Sequence, residues 1–352
     1  MIELTLLTPD REGEYRRFLQ LNPRTLIYAT LEFRDFLFSV TGGKPVYWLA
    51  LRGSEICGVL PSFVKEQPDY GKIINSLPWY GSYGGCTLLS NDDEEARGAL
   101  LNRFAEFGMA SDVLSATLIE SPFEHSWEEQ DKAVLNPTVL DQRIGQITEL
   151  PNVDESELEE ALFAAFKKKT RNIVRKSLRQ GFELVISDED WAWRFLYNTH
   201  VENMESIGGK AKPWEHFVAM RRYFSPDLCK IYVAMLESKP VAAMLLLFFN
   251  QTVEYITPVI KHEFRTQQPL SFLIWHAMLH ASIAGYMWWN WGGTWLSQDF
   301  LHHFKAGWGA ADFPYTYFVK ASEKSLTLFK TDMEKIQLQF PYYYLIPYSL
   351  IK

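Results

Sequence analysis

The feature that most constrains the fold is an internal repeat: residues 46–64 and 231–249 both consist of two strand-like runs joined by a short turn. At a constant offset, four positions carry the same residue in both stretches: Tyr47 and Tyr232, Leu51 and Leu236, Leu60 and Leu245, Phe63 and Phe248. Predicted helices flank both hairpins. We interpret the repeat as the result of an ancient duplication, which predicts two α/β domains with the same order of elements.

The predicted elements place the domain boundary near residues 150–154, so that the expected domains are 1–150 and 151–352. Pro137, Pro151 and a run of acidic residues interrupt the pattern there. In the first domain, the periodicity predicts helices over 12–19, 31–38 and 94–108 and a strand over 113–119. In the second, it predicts helices over 154–180, 190–201, 214–223 and 269–285, and further strands over 252–259 and 287–290.

Charge and cysteine content exclude several classes of protein. The chain has 35 Lys and Arg against 43 Asp and Glu, a net charge of −8, which disfavours a DNA-wrapping surface but leaves a local basic patch open. Its three cysteines form no C-x-x-C pair, so neither a zinc knuckle nor a disulfide framework is expected. The acidic start and a longest apolar run of only residues 241–249 predict a cytoplasmic protein without an export signal or transmembrane segment.

An aromatic and glycine-rich loop, SLPWYGSYGGC at 76–86, is the first candidate site. Its aromatic residues offer flat faces with polar tips, and its glycines permit close backbone approach: Trp79, Tyr80, Tyr83, Gly81, Gly84 and Gly85. Such a loop can hold a sugar or a nucleotide. The alternative is a turn whose aromatic residues simply close a core.

A basic segment, KKKTRNIVRKSLRQ at 167–180, is the second candidate, with seven basic side chains and no acidic one. On a helix, one stripe would contain Lys168, Arg171, Arg175 and Arg179. The opposite side would turn apolar residues towards a core: Phe166, Ile173, Val174 and Leu178. This concentration of charge favours phosphate binding, and the alternative is a solvated surface.

The third candidate is residues 288–310, where Lys305 lies among glycines and aromatic residues. A lysine in this setting can stabilise an oxyanion or a phosphate, or it can pair with a buried acid. His276 and His280 share a helix face, but no third ligand is evident and a metal site is disfavoured. Because the chain lacks a nucleophile elbow, a Walker loop and a Rossmann glycine pattern, redox and nucleotide-hydrolysing enzymes are also disfavoured.

Together these motifs resemble the Fem-type transferases, within the GNAT acyltransferase superfamily. The resemblance rests on SLPWYGSYGGC, TRNIVRKSLRQGFEL, the hairpin followed by YITPVI, and NWGGT with FKAGWGA, and it covers about residues 28–317. It implies a tandem pair of GNAT-like α/β domains with mixed central sheets flanked by helices. Fem enzymes move an amino acid from aminoacyl-tRNA to an amine of a peptidoglycan precursor. The resemblance therefore implies an acyltransferase that acts on an amine of a saccharide or cell-envelope precursor.

The resemblance also implies roles for individual residues. Phe304 and Lys305 match the position associated with the reacting end of the acceptor and the transferring carbonyl. Arg171 and Arg175 would face phosphate. The remaining matched residues would contact the substrate. Those of the aromatic loop would line a cleft between the domains, and the others belong to the YITPVI and NWGGT segments. They are Trp79, Tyr80, Tyr83, Gly84, Gly85, Tyr255, Asn290 and Gly292.

The acyl donor stays open between acyl-coenzyme A and aminoacyl-tRNA, and no tightly bound cofactor is expected. The long helical arm that Fem ligases insert in the second domain is missing, which leaves tRNA unsupported. The segment RTQQPLS at 265–271 stands where GNAT enzymes bind pyrophosphate, but it lacks glycines and Pro269 donates no hydrogen bond. Side chains of Arg265, Gln267 and Gln268 would have to bind the phosphate instead.

The sequence thus predicts that Lys305 stabilises an oxyanion or a phosphate, while Asp299, Glu254 or the substrate's own phosphate accepts the proton. Expected acceptors are small-molecule or lipid-linked saccharides, and tRNA and peripheral membrane contact stay open as partners. One alternative is a coenzyme A-dependent N-acetyltransferase of a nucleotide sugar or small amine. The other is a non-catalytic, saccharide-binding assembly protein.

Overall fold

A computed structural model describes residues 1–80, 82–347 and 350, so Gly81 of the aromatic loop lies outside the described residues. The chain forms two compact units. Unit 1 comprises Met1–Ile144 and Phe313–Lys352, and unit 2 comprises Gly145–Asp312. This division differs from the expected one because the strand Ala311–Ala321 pairs antiparallel with Val113–Ile119 and thereby joins the first unit.

Unit 1 contains most of its elements in the first part of the chain. Its strands there are β1 (Glu3–Leu6), β2 (Lys44–Pro45), β3 (Trp48–Arg52), β4 (Glu55–Leu60), β5 (Phe63–Gln67), β6 (Gly71–Asn75), β7 (Thr87–Leu88), β8 (Val113–Ile119) and β9 (Val139–Glu149), the last of which continues into unit 2. Its helices there are α1 (Glu12–Leu21), α2 (Leu31–Thr41), α3 (Glu94–Gly108) and α4 (Glu128–Leu135).

Unit 2 is built from one continuous segment. Its strands are β10 (Glu183–Ser187), β11 (Cys229–Leu236), β12 (Lys239–Phe249), β13 (Thr252–Ile260) and β14 (Trp288–Thr294). Its helices are α5 (Glu155–Ala165), α6 (Lys168–Ser177), α7 (Asp190–Glu205), α8 (Trp214–Tyr223), α9 (Pro269–Ile283) and α10 (Asp299–Gly307). The chain then returns to unit 1 through β15 (Ala311–Ala321) and α11 (Glu323–Gln339).

The two units repeat the same order of elements, as the internal repeat predicts. In each, a first strand (β1 or β10) pairs antiparallel with the first strand of a hairpin (β3–β4 or β11–β12), and two helices lie between them in sequence. In each, a later strand, a helix and a parallel strand follow: β6, α3 and β8, or β13, α9 and β14. The predicted tandem α/β fold is therefore confirmed.

Pro61 makes the two hairpins different. Proline has no N–H to donate, and the strand that corresponds to the continuous β12 is interrupted there into β4 and β5. The strand β4 pairs with β3 and β7, whereas β5 pairs with β2 and β6. Unit 1 therefore divides its strands between two sheets, while β12 is a long, buried central strand with apolar residues on both faces.

The helix predicted over 154–180 is wrong as a single element. It is divided into α5 and α6 at Phe166, which has an extended backbone (φ −84°, ψ 148°). The Phe166 ring is buried, with its centroid 5.0 Å from that of Trp308 and 6.1 Å from that of Trp275. Burial of this ring in the core of unit 2 stabilises a break that helical periodicity does not indicate.

Candidate functional site

The parallel strands β13 and β14 separate in unit 2. Their ladder joins Thr252, Val253 and Glu254 to Trp288, Trp289 and Asn290, and both strands continue beyond it. The pairing of β12 with β13 also shifts by one residue between Thr257 and Tyr255, a β-bulge of the kind that bends and twists a strand locally. A gap at the carboxyl ends of parallel strands is where α/β sheets commonly bind ligands.

A buried polar pair lies where the ladder ends. Glu254 is 2 % exposed, and Asn290 is fully buried and donates a hydrogen bond from Nδ2 to Glu254 Oε1 at 3.2 Å. The other amide atom, Asn290 Oδ1, accepts from the backbone N–H of Gly292 at 2.9 Å. Because Gly292 has φ +73°, a conformation that favours glycine, Asn290 fixes a sharp change of direction in β14.

Lys305 reaches this bend from the last turn of α10. It is only 4 % exposed, and Nζ donates to the carbonyl oxygens of Gly292 (3.0 Å) and Gly293 (3.3 Å) and to Thr294 Oγ1 (2.8 Å). These partners are neutral oxygens, so the alternative in which Lys305 pairs with a buried acid is not what the structure shows. Burial lowers the pKa of Lys305 to about 8, and the side chain still carries its charge at neutral pH.

Aromatic rings form one wall beside Lys305. The ring centroid of Trp291 lies 5.1 Å from that of Tyr255, 5.9 Å from that of Phe304 and 6.0 Å from that of Trp308. Trp291 is anchored by a hydrogen bond from Nε1 to Thr148 Oγ1 at 2.9 Å. Phe304 is 43 % exposed, so this wall extends from the core to the surface. The structure thus brings together five predicted residues: Tyr255, Asn290, Gly292, Phe304 and Lys305.

The arginines of the basic segment lie against α5. Arg171 Nη1 donates to the carbonyl oxygen of Phe163 at 3.3 Å, and the Arg175 guanidinium lies 5.0 Å from the centroid of the Phe163 ring. Among the described residues, neither arginine shares a hydrogen-bond partner with Lys305. No shared partner therefore links the two arginines to Lys305, and contact of Arg171 and Arg175 with phosphate stays a prediction.

The buried face of the basic helix α6 differs in detail from the predicted one. Val174 is buried as expected, but Leu178 is 39 % exposed, and the other buried positions are Thr170 and Ser177. The small Thr170 and Ser177 allow close packing. Phe166, predicted on this face, precedes α6 and fills the core instead.

The predicted cofactor residues lie at the start of α9. A short 3₁₀ helix, His262–Gln267, follows β13, and Gln268 (φ +67°) precedes Pro269, the first residue of α9. The Gln268 side chain donates to the carbonyl oxygen of Arg265 at 2.9 Å, and Arg265 is exposed. The order of strand, turn and helix suits an anion at a helix N-terminus, and phosphate binding by Arg265, Gln267 and Gln268 stays a prediction.

The aromatic loop of unit 1 packs into that unit's own core. Trp79 and Tyr83 are 5 % and 4 % exposed, with ring centroids 5.0 Å from Phe36 and 5.4 Å from Tyr28 respectively. A Cβ on Gly84 would lie 2.6 Å from Ser76 Oγ, just after β6, and one on Gly85 would lie 3.2 Å from the Ser121 nitrogen. This placement favours the alternative in which the loop closes a core. Tyr80 is 48 % exposed, and its contact with substrate stays a prediction.

A buried charged cluster in unit 1 was missed by the sequence reasoning. Arg97 Nε and Nη2 donate to the two carboxylate oxygens of Asp131 at 2.9 and 2.5 Å, and Nη1 donates to Glu124 at 3.2 Å. Burial raises the pKa of Glu124 to about 7 and that of Glu120, next to Asp131, to about 8. The one signal in the sequence is that Glu120 directly follows the apolar strand β8.

One known protein family matches part of unit 2. Residues 165–306 match the family described as "Acetyltransferase (GNAT) domain". The matched range lies within unit 2 and includes β13, β14, Lys305 and the start of α9. The match covers less than half of the chain, so it shows that unit 2 contains a region similar to a GNAT acetyltransferase domain. The predicted assignment to acyl-transferring enzymes is confirmed.

Solved structures with a similar fold cover nearly all of the chain. FemX has a TM-score of 0.72 and 15% identity, with 90% of this chain and 97% of FemX covered. L-PGS from Bacillus licheniformis has a TM-score of 0.55 and 11% identity, with coverage of 95% and 97%. A tandem GNAT protein from the clavulanic acid biosynthesis pathway has a TM-score of 0.54 and 10% identity, with coverage of 91% and 98%. At these identities the likeness establishes the fold, and the predicted tandem GNAT architecture is confirmed.

No curated protein matches the chain significantly. Within residues 1–80, 82–347 and 350, none of the helices is both long and apolar enough to cross a bilayer.

Proposed function

Since the chain contains a region similar to a GNAT acetyltransferase domain within a tandem GNAT fold, we propose that it transfers an acyl or aminoacyl group to an amine of a saccharide or cell-envelope precursor. The observation that carries this proposal is the buried ammonium of Lys305, hydrogen-bonded to β14 just past the end of the β13–β14 ladder and beside the half-exposed Phe304. The likeness to FemX and to L-PGS supports a cell-envelope substrate over other amines.

In the proposed reaction, the acceptor nitrogen attacks the acyl carbonyl, a C–N bond forms, and the ester or thioester bond to the donor breaks. Negative charge grows on the carbonyl oxygen. All three N–H groups of Lys305 Nζ donate to Gly292, Gly293 and Thr294, so none is left to donate to the oxyanion. Lys305 would therefore stabilise the oxyanion by the electrostatic attraction of its positive charge, which is strong where water is excluded. Its second role is to hold the bend of β14 in position.

The proton released by the attacking amine needs an acceptor. Glu254 is a buried carboxylate at the end of the β13–β14 ladder, and Asn290 orients it. We assign the role of general base to Glu254 in preference to Asp299, which is exposed at the start of α10.

The remaining site residues are proposed to bind the two substrates. Tyr255 and Phe304 flank Trp291 and would stack on a saccharide ring. Arg171 and Arg175 would bind a phosphate of the acceptor. The donor, acyl-coenzyme A or aminoacyl-tRNA, would place phosphate near Arg265 and the N-terminus of α9, where backbone N–H groups and the helix dipole favour an anion.

The test is acyl transfer by the Lys305→Ala variant, assayed with acyl-coenzyme A and with charged tRNA as donors. We expect kcat to fall at least ~10-fold, because a charge that meets the developing oxyanion is lost. The matched control is Lys324→Ala, which removes an exposed lysine from unit 1. Unchanged kcat in Lys305→Ala, with normal folding by circular dichroism, would exclude Lys305 from the reaction.

A coenzyme A-dependent N-acetyltransferase is the second candidate, favoured by the family description of residues 165–306. A thermal-shift panel separates the donors, because a ligand that binds the native state raises Tm by mass action. A saturable shift with acetyl-coenzyme A supports this candidate, and a shift with charged tRNA alone supports the Fem-type donor. Binding of UDP-linked sugars without any acyl product would support the non-catalytic alternative instead.

A further inference from the structure

Unit 2 exposes an unusual group of large apolar side chains just before Lys305, which we name the apolar edge. Its members, with their exposed fractions, are Trp295 (42 %), Leu296 (64 %), Phe300 (96 %), Leu301 (39 %) and Phe304 (43 %). Single exposed apolar residues are common on protein surfaces. Five within ten residues of sequence are an unusual concentration of exposed apolar surface, and such concentrations mark interaction sites.

The apolar edge is held in a defined local structure. The loop before α10 is closed by a hydrogen bond from Gln298 N–H to the carbonyl oxygen of Trp295 at 2.9 Å, and Gln298 Oε1 accepts from Trp295 N–H at 3.2 Å. Phe300 and Phe304 are one turn apart on α10, and the Phe304 ring is anchored against Trp291. The exposed rings and Leu296 are therefore presented from an ordered segment.

The basic helix α6 adjoins the same segment. The backbone N–H of Lys167 donates to the carbonyl oxygen of Gly307, the last residue of α10, at 2.9 Å. A Cβ on Gly307 would lie 2.6 Å from Thr170 Oγ1, so the two helices meet closely. In the part of the chain that the structure describes, no carboxylate forms an ion pair with the seven basic side chains of residues 167–180.

We propose that the apolar edge and α6 together dock the protein on an anionic lipid bilayer. Exposed Phe, Leu and Trp side chains beside clustered Lys and Arg are the combination that binds membrane interfaces, because the rings insert among the headgroups and the cations attract anionic lipid. A chain of net charge −8 needs such a local basic cluster to approach a negative surface. RNA would engage the cations and leave Leu296 and Phe300 without a partner.

The test is flotation of the full chain with phosphatidylcholine vesicles that contain or lack phosphatidylglycerol. We expect binding only to the anionic vesicles, and a loss with rising salt because the attraction is screened. The double variant Leu296→Ser/Phe300→Ser should reduce the bound fraction roughly 10-fold, since it removes inserted apolar surface. Lys168→Glu/Lys169→Glu should reduce it as well. Leu338→Ser, which replaces a 77 % exposed leucine of α11, is the matched control and should bind normally.

Docking is independent of acyl transfer, because flotation needs no turnover. The proposal is overturned if the chain ignores anionic vesicles, or if the Leu296→Ser/Phe300→Ser variant binds them as well as the unaltered chain does. It is also overturned if tRNA binds through α6 while no vesicle does. Retained acyl transfer to a soluble acceptor by Leu296→Ser/Phe300→Ser, together with lost flotation, would support docking as a separate property of this surface.

Discussion

The two units differ at the same position of their shared topology, which is the end of the parallel strand pair. In unit 1, bonding continues beyond the ladder of β6 and β8: the N–H of Ser76 donates to the carbonyl oxygen of Thr117 at 2.8 Å, and Ser76 Oγ accepts from Ile119 N–H at 2.8 Å. The aromatic loop then packs over this point. In unit 2, the corresponding ladder of β13 and β14 ends at Glu254 and Asn290, and the strands separate. A duplicated fold can therefore keep a gap for chemistry in one copy and close it in the other.

The buried charges differ in the same way. Unit 1 buries the Arg97–Asp131 pair with Glu120 and Glu124 after β8, whereas unit 2 buries Lys305 among neutral oxygens after β14. A paired, hydrogen-bonded cluster is suited to holding a fold together, and a buried charge with neutral partners keeps its field available to a ligand. This contrast agrees with the proposed placement of the reaction in unit 2, while the cluster of unit 1 is suited to supporting the fold.

The largest expected effect comes from breaking the charged cluster of unit 1. Arg97→Ala should lower the free energy of unfolding by about 3–5 kcal/mol, because it leaves the fully buried Asp131 without its partner. Urea denaturation measures the loss. The control, Arg52→Ala, removes an exposed arginine that pairs with Asp93 and should change stability little. Equal losses in the two variants would contradict the structural role of the cluster.

The next largest effect should come from adding a methyl group at Gly84, where the aromatic loop packs over the end of the β6–β8 pair. Gly84→Ala should lower the free energy of unfolding by about 1–3 kcal/mol, since its Cβ would lie 2.6 Å from Ser76 Oγ and 2.7 Å from the Leu77 nitrogen. Gly98→Ala is the control: it lies within α3 with no atom near its Cβ, so alanine should be tolerated or stabilising there. A Gly84→Ala variant of unchanged stability would contradict the close packing of the aromatic loop against Ser76 and Leu77.

The smallest expected effect, measured per unit of pH, is a pH dependence of stability that originates in unit 1. The pKa of Glu120 is raised from 4.5 to about 8, so the folded chain holds this proton more tightly than the unfolded chain does. Its stabilising contribution is complete below about pH 4.5 and is lost as pH rises through 8. The slope should be on the order of 1 kcal/mol per pH unit at most.

Glu120→Gln removes one of the carboxyl groups with raised pKa values while it keeps a similar shape, and Glu124 still titrates. Urea denaturation across this pH range should therefore give a flatter profile for Glu120→Gln than for the unaltered chain. Glu129→Gln, at a position 84% exposed on α4, should leave the profile unchanged. If the stability of Glu120→Gln depends on pH as steeply as that of the unaltered chain, another group is responsible for the pH dependence.

Much of the fold could be predicted from the sequence because local periodicity determines it. The predicted bounds of α3, α8 and β8 agree with the structure, since each has a regular apolar stripe or a β-branched run. The break between α5 and α6 could not be predicted, because the packing of Phe166 against Trp308 joins residues far apart in sequence. For the same reason the pairing of β15 with β8 was not foreseen.

The candidate site shows the same limit. The sequence singled out Lys305 and its neighbouring glycines, but the neutral partners of its ammonium, Thr294 among them, depend on tertiary structure. Trp79 and Tyr83 have the composition of a binding loop, and only packing reveals that they are core residues. Composition does not indicate whether the tyrosines near the carboxyl end face a core or a partner. Tyr343 is buried, and the Tyr344 hydroxyl donates to Asp141 at 2.7 Å, so both pack within unit 1.

The path of the chain has a consequence for biosynthesis. Unit 2 is one uninterrupted segment. Unit 1 includes β15, which pairs with β8, so its folding cannot be completed until residues 313–352 have been synthesised. On the ribosome, all of unit 2 emerges before the last part of unit 1, which reverses the usual order in which the N-terminal domain is completed first. Until β15 is synthesised, the edge of β8 with which it pairs would stay exposed. A chaperone would protect the nascent chain from aggregation during this interval.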